Sequence, residues 1–223
     1  ITLENTYTAE PTYVTLEADK ILKGRDLKEE EFTFELKDVQ GNVVASATNT
    51  KAGIVSFAKL KFEGAGDYVY TISEKAGDKG GVTYDDEVYT VIVEVTDNGG
   101  QLAANVQYID GENNQAVFHN TYAAAKNSVT LGAMKNLEGR ELKAGEFSFE
   151  LKQNNIMVDT KTNAGTGAIQ FPPIEFTTAG VYTYTIVETT GSLGGIAYDP
   201  AVYTVTVTVT DDLQGHLNAV ASY

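Results

Sequence analysis

Between Tyr203 and Thr210 apolar and polar residues alternate without a break. Tyr203, Val205, Val207 and Val209 face one way, and Thr204, Thr206, Thr208 and Thr210 the other. A period of two is the mark of a β-strand with one buried and one solvated face. The same period runs through residues 14–22, 67–74 and 116–122, and the runs are separated by "GDKGG", "DNGG" and "GSLGG". Such glycine-rich breaks are turn signals, and the richness in Thr, Val and Tyr disfavours helix. The pattern predicts short antiparallel strands packed as β-sandwiches of immunoglobulin type.

The pattern also occurs twice. "KILKGRDLKEEEFTFELK" (20–37) returns as "KNLEGRELKAGEFSFELK" (135–152), an offset of 115 residues. "YTISE" (70–74) returns as "YTIVE" (184–188) and "VTYDDEVYTVIVEVTD" (82–97) as "IAYDPAVYTVTVTVTD" (196–211), each 114 residues later. A repeat of this length means two copies of one domain. The expected boundaries are 8–122 for the first repeat and 123–223 for the second. Residues 1–7, "ITLENTY", match "AVFHNTY" (116–122), the end of the first repeat, and so read as the closing strand of a preceding or neighbouring domain.

Alternation then singles out polar residues on core-facing positions. Val14, Leu16, Ala18, Lys20 and Leu22 share a face, as do Val129, Leu131, Ala133, Lys135 and Leu137. Tyr68, Tyr70, Ile72 and Glu74 form another inward set, repeated by Tyr182, Tyr184, Ile186 and Glu188. Ala116, Phe118, Asn120 and Tyr122 lie together, and so do Ile1, Leu3, Asn5 and Tyr7. Burial drives a lysine towards the free amine and a glutamate towards the neutral acid. A free amine is a nucleophile and a carboxylic acid moves protons. Held beside the Asn120 amide, Lys20 can expel ammonia with Glu74 as catalyst, leaving a Lys–Asn isopeptide bond; proximity supplies what dilute solution lacks. The other reading is a satisfied, unreactive hydrogen-bonded cluster. Recurrence of the lysine and glutamate in the second repeat favours the reactive one. The second repeat has no asparagine in the matching place: adding the 115-residue offset to Asn120 gives position 235, beyond Tyr223.

Composition removes several function classes. Sixteen basic against 31 acidic residues give a net charge of −15, which repels phosphate backbones and anionic membranes. Cysteine is absent, so disulfides, zinc fingers and thiol catalysis are excluded, and redox reasoning leaves the compartment open. No apolar run is long enough to span a bilayer. His119 and His216 fall on outward or loop positions, so no metal site is expected. "YDDE" (84–87) becomes "YDPA" (198–201), and reads as a turn cap rather than a calcium site. No arrangement suited to an enzyme acting on external substrates, and no cofactor motif, stands out. The start at Ile1 is read as that of a processed or excised piece.

"VTLEADKILKGR", "EFTFEL", "GDYVYTISE", "GVTYDDEVYTVIVEVTD" and "VFHNTY" together resemble the streptococcal pilin isopeptide-linkage repeat of Gram-positive pilus subunits and long surface adhesins. The resemblance covers nearly the whole chain in family order. It implies an isopeptide bond between first and last strands, from Lys20 to Asn120 with Glu74 as catalyst in the first repeat, and Lys135 with Glu188 in the second. It also implies export to the cell surface and cell wall, although the sorting motif and the polymerisation lysine motif are not in this piece. The expected function is a structural stalk segment of a surface fibre, with no enzymatic activity beyond its own cross-linking. The alternative is an adhesin module holding a host protein or glycan through loops such as "KAGDKGG" (75–81). For residues 1–7 two origins stand: a strand given by a neighbouring copy, placing Asn5 beside Lys135 and Glu188 and joining subunits head to tail, or the remainder of a preceding repeat.

Overall fold

A computed structural model describes all residues, 1–223. The chain divides into two compact units, Ile1–Ala123 and Ala124–Tyr223, and all of its regular structure is β-strand.

The first unit contains β1 (Thr12–Val14), β2 (Glu17–Lys23), β3 (Thr33–Asp38), β4 (Val43–Thr48), β5 (Ile54–Ser56), β6 (Leu60–Phe62), β7 (Gly66–Glu74), β8 (Val82–Thr83), β9 (Val88–Asp97), β10 (Leu102–Ile109) and β11 (Ala116–Tyr122). One sheet has the order β10-β9-β7-β3-β4 and the other β5-β2-β11-β8, while β1 pairs with β6. The pairings are antiparallel except that of β2 with β11, which run parallel with Lys20 opposite Phe118 and Leu22 opposite Asn120. The alternation explains the core: Val91, Val93 and Val95 of β9 are buried, as are Phe34 and Leu36 of β3 and Leu16, Ala18, Val55, Ala116 and Phe118 from the other side. Burial of such side chains stabilises by about 1.5–3 kcal/mol each.

The second unit contains β12 (Asn127–Val129), β13 (Gly132–Met134), β14 (Ser148–Gln153), β15 (Ile156–Thr162), β16 (Ala168–Gln170), β17 (Ile174–Phe176), β18 (Gly180–Glu188), β19 (Val202–Asp211) and β20 (Leu217–Ser222). Its large sheet, β15-β14-β18-β19-β20, repeats that of the first unit, and β13 pairs with β16 as β2 pairs with β5. No strand occupies the other edge of β13. The expected inward face of β19 is accordingly only partly covered: Val205, Val207 and Val209 are buried, but Tyr203 is 57% exposed. Its counterpart Tyr89 is 8% exposed, because Phe118 of β11 packs edge-on against it at 5.1 Å. Ala133 is likewise exposed where Ala18 is buried.

Two further expectations change. The first strand, predicted as one run, is two, because β1 pairs with β6 and β2 with β5 and β11. Residues 1–9 form no strand, and Ile1, Leu3 and Tyr7 are exposed. An isolated extended segment has nothing with which to form a ladder; it is tied to the unit by the Tyr7 hydroxyl, which donates to Asp97 Oδ2 at 2.7 Å, and by Ala9, which packs against the core.

Each lysine backbone is set by a glycine. Lys20 N–H donates to Gly53 C=O at 2.7 Å and Lys135 N–H to Gly167 C=O at 2.8 Å. Gly53 and Gly167 have φ of +93° and +88°, and a Cβ on either would lie 2.3 Å from the carbonyl oxygen of its lysine. Gly53→Ala therefore adds left-handed strain to a backbone clash, and should cost at least about 2 kcal/mol. Urea unfolding of Gly53→Ala against its parent, both carrying Asn120→Ala so that unfolding is not complicated by a cross-link, measures it.

Candidate functional site

Three strands bring Lys20, Glu74 and Asn120 to one point. Lys20 projects from the middle of β2, Glu74 is the last residue of β7 in the facing sheet, and Asn120 lies on β11 beside β2. Lys20 Nζ donates to Glu74 Oε2 at 2.8 Å, and Asn120 Nδ2 donates to Glu74 Oε1, also at 2.8 Å. The carboxyl group thus bridges amine and amide, one oxygen to each. The Lys20 and Glu74 side chains have no exposed surface, and Asn120 is buried. Phe32 and Phe34 present their rings to the amine, with centroids 5.0 and 5.9 Å from Nζ.

The site's electrostatics follow from that burial. Removal from water holds Lys20 below the usual ammonium range, against the opposing pull of the Glu74 hydrogen bond and charge. Removal from water likewise raises Glu74 above the usual carboxylate range, against Lys20 and the Asn120 hydrogen bond. Both partners are pushed towards neutrality. One proton moving along their shared hydrogen bond converts ammonium and carboxylate into amine and carboxylic acid, which are a nucleophile and a general acid.

A fourth residue enters through its backbone. Asp85 N–H donates to Asn120 Oδ1 at 2.7 Å. An N–H can only donate, so it fixes the amide with oxygen towards Asp85 and nitrogen towards Glu74. The Asp85 carboxylate accepts Glu87 N–H on Oδ1 at 2.9 Å, which is the turn cap expected of "YDDE". Its Oδ2 accepts the N–H of His119 at 2.5 Å, next to the asparagine itself. Sequence reasoning assigned Asp85 only the cap. The available signal was its retention as Asp199 while the two following residues changed to Pro200 and Ala201. Phe32, retained as Phe147, was missed as well.

In the second unit Lys135, just past β13, donates to Glu188 Oε2 at 3.0 Å and lies 2.9 Å from Oε1. The Phe147 ring centroid is 4.6 Å from the amine. Asp199 N–H, matching that of Asp85, donates to Glu188 Oε2 at 2.8 Å. A cleft of about 300 Å³ opens beside the pair, lined by Ala133, Lys135, Glu188, Asp199, Tyr203 and Tyr223 among others. Asn5 belongs to the first unit, where it is exposed and outside any strand. His119 lies 3.6 Å from Glu112 and His216 3.0 Å from Asp212, and no three His, Cys, Asp or Glu side chains cluster as metal ligands would.

A paired all-β architecture with a lysine and a glutamate joined inside each copy defines a class: tandem sandwich domains built around an internal amine–carboxyl pair. The Spy0128-like isopeptide containing domain (FctA) matches residues 16–123 and again 131–223, and the chain belongs to that family. A pilin of Streptococcus pyogenes serotype M1 is 30% identical over 134 residues, covering 55% of this chain and 39% of its own length. The chain therefore spans well under half of that relative. Among solved structures, the major pilin protein (T-13) from Streptococcus pyogenes serotype GAS131465 is 18% identical, with 97% of this chain and 92% of that one covered and a TM-score of 0.37. A C-terminal fragment of the pilus adhesin SpaC from Lactobacillus rhamnosus GG is 18% identical, with 93% and 86% covered and a TM-score of 0.34.

Proposed function

We propose that the first unit cross-links itself, Lys20 to Asn120, and serves as a load-bearing stalk segment of a Gram-positive surface fibre, exported and held at the cell wall through other parts of its parent protein. The observation that carries this reading is the Glu74 carboxyl group, bridging a buried amine and a buried amide on neighbouring strands. Lys20 Nζ, as the free amine, attacks Asn120 Cγ, and a new N–C bond forms. The Glu74 carboxyl group gives its proton to Asn120 Nδ2 and takes up the surplus proton of the attacking nitrogen. The Cγ–Nδ2 bond breaks, ammonia leaves, and Glu74 ends in the protonation state in which it began. The reaction occurs once, within one chain, and needs no cofactor.

The mechanical consequence follows from topology. β2 and β11 are parallel neighbours near the two ends of the unit, so tension on the termini shears that pair. A covalent bond between them carries the load directly and leaves the roughly hundred intervening residues slack. Membership of the family and the pilin relative support this reading.

For the second unit we propose a closing strand supplied by another copy of the chain. The open edge of β13 and the cleft at Lys135 and Glu188 call for an extended segment with an asparagine on its inward face. Ile1, Leu3, Asn5 and Tyr7 repeat the alternation of Ala116, Phe118, Asn120 and Tyr122. An unpaired edge is a site for strand addition, and Asn5 would then meet Lys135.

Two experiments test these readings. The intact mass of the monomeric chain should be one ammonia below that of the sequence, with Lys20 and Asn120 recovered in one branched peptide. Glu74→Ala and Asn120→Ala should restore the full mass. Asn120→Ala should lower stability by the lost constraint, about 3–5 kcal/mol by the loop-entropy argument used for disulfides, together with the cost of leaving Glu74 Oε1 and Asp85 N–H without the amide. A full-mass wild type with Lys20 open to acetylation after unfolding would rule out the bond. On denaturing gels the wild type should run as a ladder that disappears in Asn5→Ala; a single monomer band would rule out covalent strand donation.

A further inference from the structure

Resting on that cross-linking reading, we propose that the backbone N–H of Asp85 is a catalytic group, the donor that stabilises the oxyanion formed at Asn120 Oδ1, with Glu74 confined to proton transfer. The division of labour follows from which atoms touch. Glu74 meets the amide at Nδ2, 2.8 Å away, and the oxygen is held by Asp85 N–H at 2.7 Å. As the Lys20 Nζ–Cγ bond forms, the C=O electron pair moves onto Oδ1. It returns to the carbonyl when the Cγ–Nδ2 bond breaks. The charge thus develops on a buried side chain already facing a fixed donor, and such preorganised donors are most effective away from water.

The donor is also held in place. Asp85 Oδ1 accepts Glu87 N–H, which closes the turn, and Oδ2 accepts His119 N–H, which ties that turn to β11 one residue before Asn120. These two bonds steady the turn from which the Asp85 N–H points at the Asn120 oxygen. Tyr89 adds a second tie, its hydroxyl donating to Val117 C=O of the same strand at 2.8 Å.

The second unit displays the same turn without an asparagine. Asp199 Oδ1 still accepts the N–H two residues on, from Ala201 at 2.9 Å. The other groups have different partners. Asp199 N–H donates to Glu188 Oε2, and Tyr203, the counterpart of Tyr89, gives its hydroxyl to Asp199 Oδ2 at 2.7 Å. The N–H is thus aimed into the site in both units. It takes the amide oxygen where an amide is present and the glutamate where none is. An asparagine entering the second unit must draw this N–H off Glu188, and in doing so acquires the oxyanion donor.

The test is the rate of ammonia loss after cell-free synthesis of the full chain, followed by intact mass. Asp85→Pro removes the N–H, whereas Asp85→Ala keeps it and removes the carboxylate. Asp85→Pro should slow cross-linking by about 10²–10³-fold, the usual effect of losing one oxyanion donor, and Asp85→Ala by less than about tenfold. Protease resistance of the first unit reports folding of each variant. Should the proline variant not fold, the α-hydroxy acid analogue of aspartate placed at position 85 during the same synthesis replaces N–H by oxygen, with the same expectation. A folded N–H-deficient chain linking at the wild-type rate would overturn the proposal, as would Asp85→Ala slowed as much as Asp85→Pro. Wild type that never loses ammonia would instead overturn the cross-link itself.

Discussion

The first unit is organised around one demanding contact, a lysine and a glutamate placed side by side with no exposed surface. Taking either charge out of water alone costs several kcal/mol, and the pair recovers this only if its geometry is good and its remaining hydrogen-bonding capacity is met. Each nearby feature answers that need. Gly53 admits and hydrogen-bonds the Lys20 backbone, the Phe32 and Phe34 rings accept the amine, and Asn120 takes up the second Glu74 oxygen. The dryness that makes the pair expensive also favours the neutral form of both partners, the form that the proposed reaction needs.

That dryness depends on β11. The strand contributes Phe118 to the core, covers Tyr89 and brings the amide. In the second unit, where nothing lies on that edge of β13, the Lys135 side chain keeps 13% of its exposure and Tyr203 is largely open. One chain therefore displays the same framework in a closed and an open condition. The large sheet, the lysine–glutamate pair and the capped aspartate turn are common to both. What that strand adds is the seal, the amide and the partners for Asp85 and Tyr89.

Much of this was legible in the sequence because side-chain alternation is a side-chain property. Period two placed Lys20, Glu74 and Asn120 on inward faces, and the 114- to 115-residue repeat identified Lys135 and Glu188 with them. The limits are equally physical. Alternation does not say whether an inward face is covered, so Tyr203 and Ala133 were assigned to the core although the facing edge is open. It does not detect a strand that changes partner midway, as residues 12–23 do between β1 and β2. It cannot make a strand of residues 1–7 unless a partner edge is present. Backbone donors carry no sequence letter at all. Asp85 was visible as a turn residue, while the N–H that it aims at Asn120 follows only from the fold.

Under the proposed cross-linking, the placement of that N–H bears on which asparagine would react. In the open unit both Glu188 oxygens lie within 3.0 Å of Lys135, and Oε2 also carries the Asp199 N–H. Oε1 makes no hydrogen bond and is the oxygen that matches the amide-bound Oε1 of Glu74. A passing asparagine or glutamine side chain brings an amide but no strand to seal the cleft, so water continues to compete for every hydrogen bond it offers. A full strand brings burial over its whole length and an amide at the correct register in the same event. Under the proposed strand donation, recognition would be distributed along the strand and the reaction confined to one atom of it. An acceptor edge built this way discriminates by β-register, since a shift of one residue turns the asparagine to the outer face. Under the proposed cross-linking, the constraint that closes the sandwich would also select the bond.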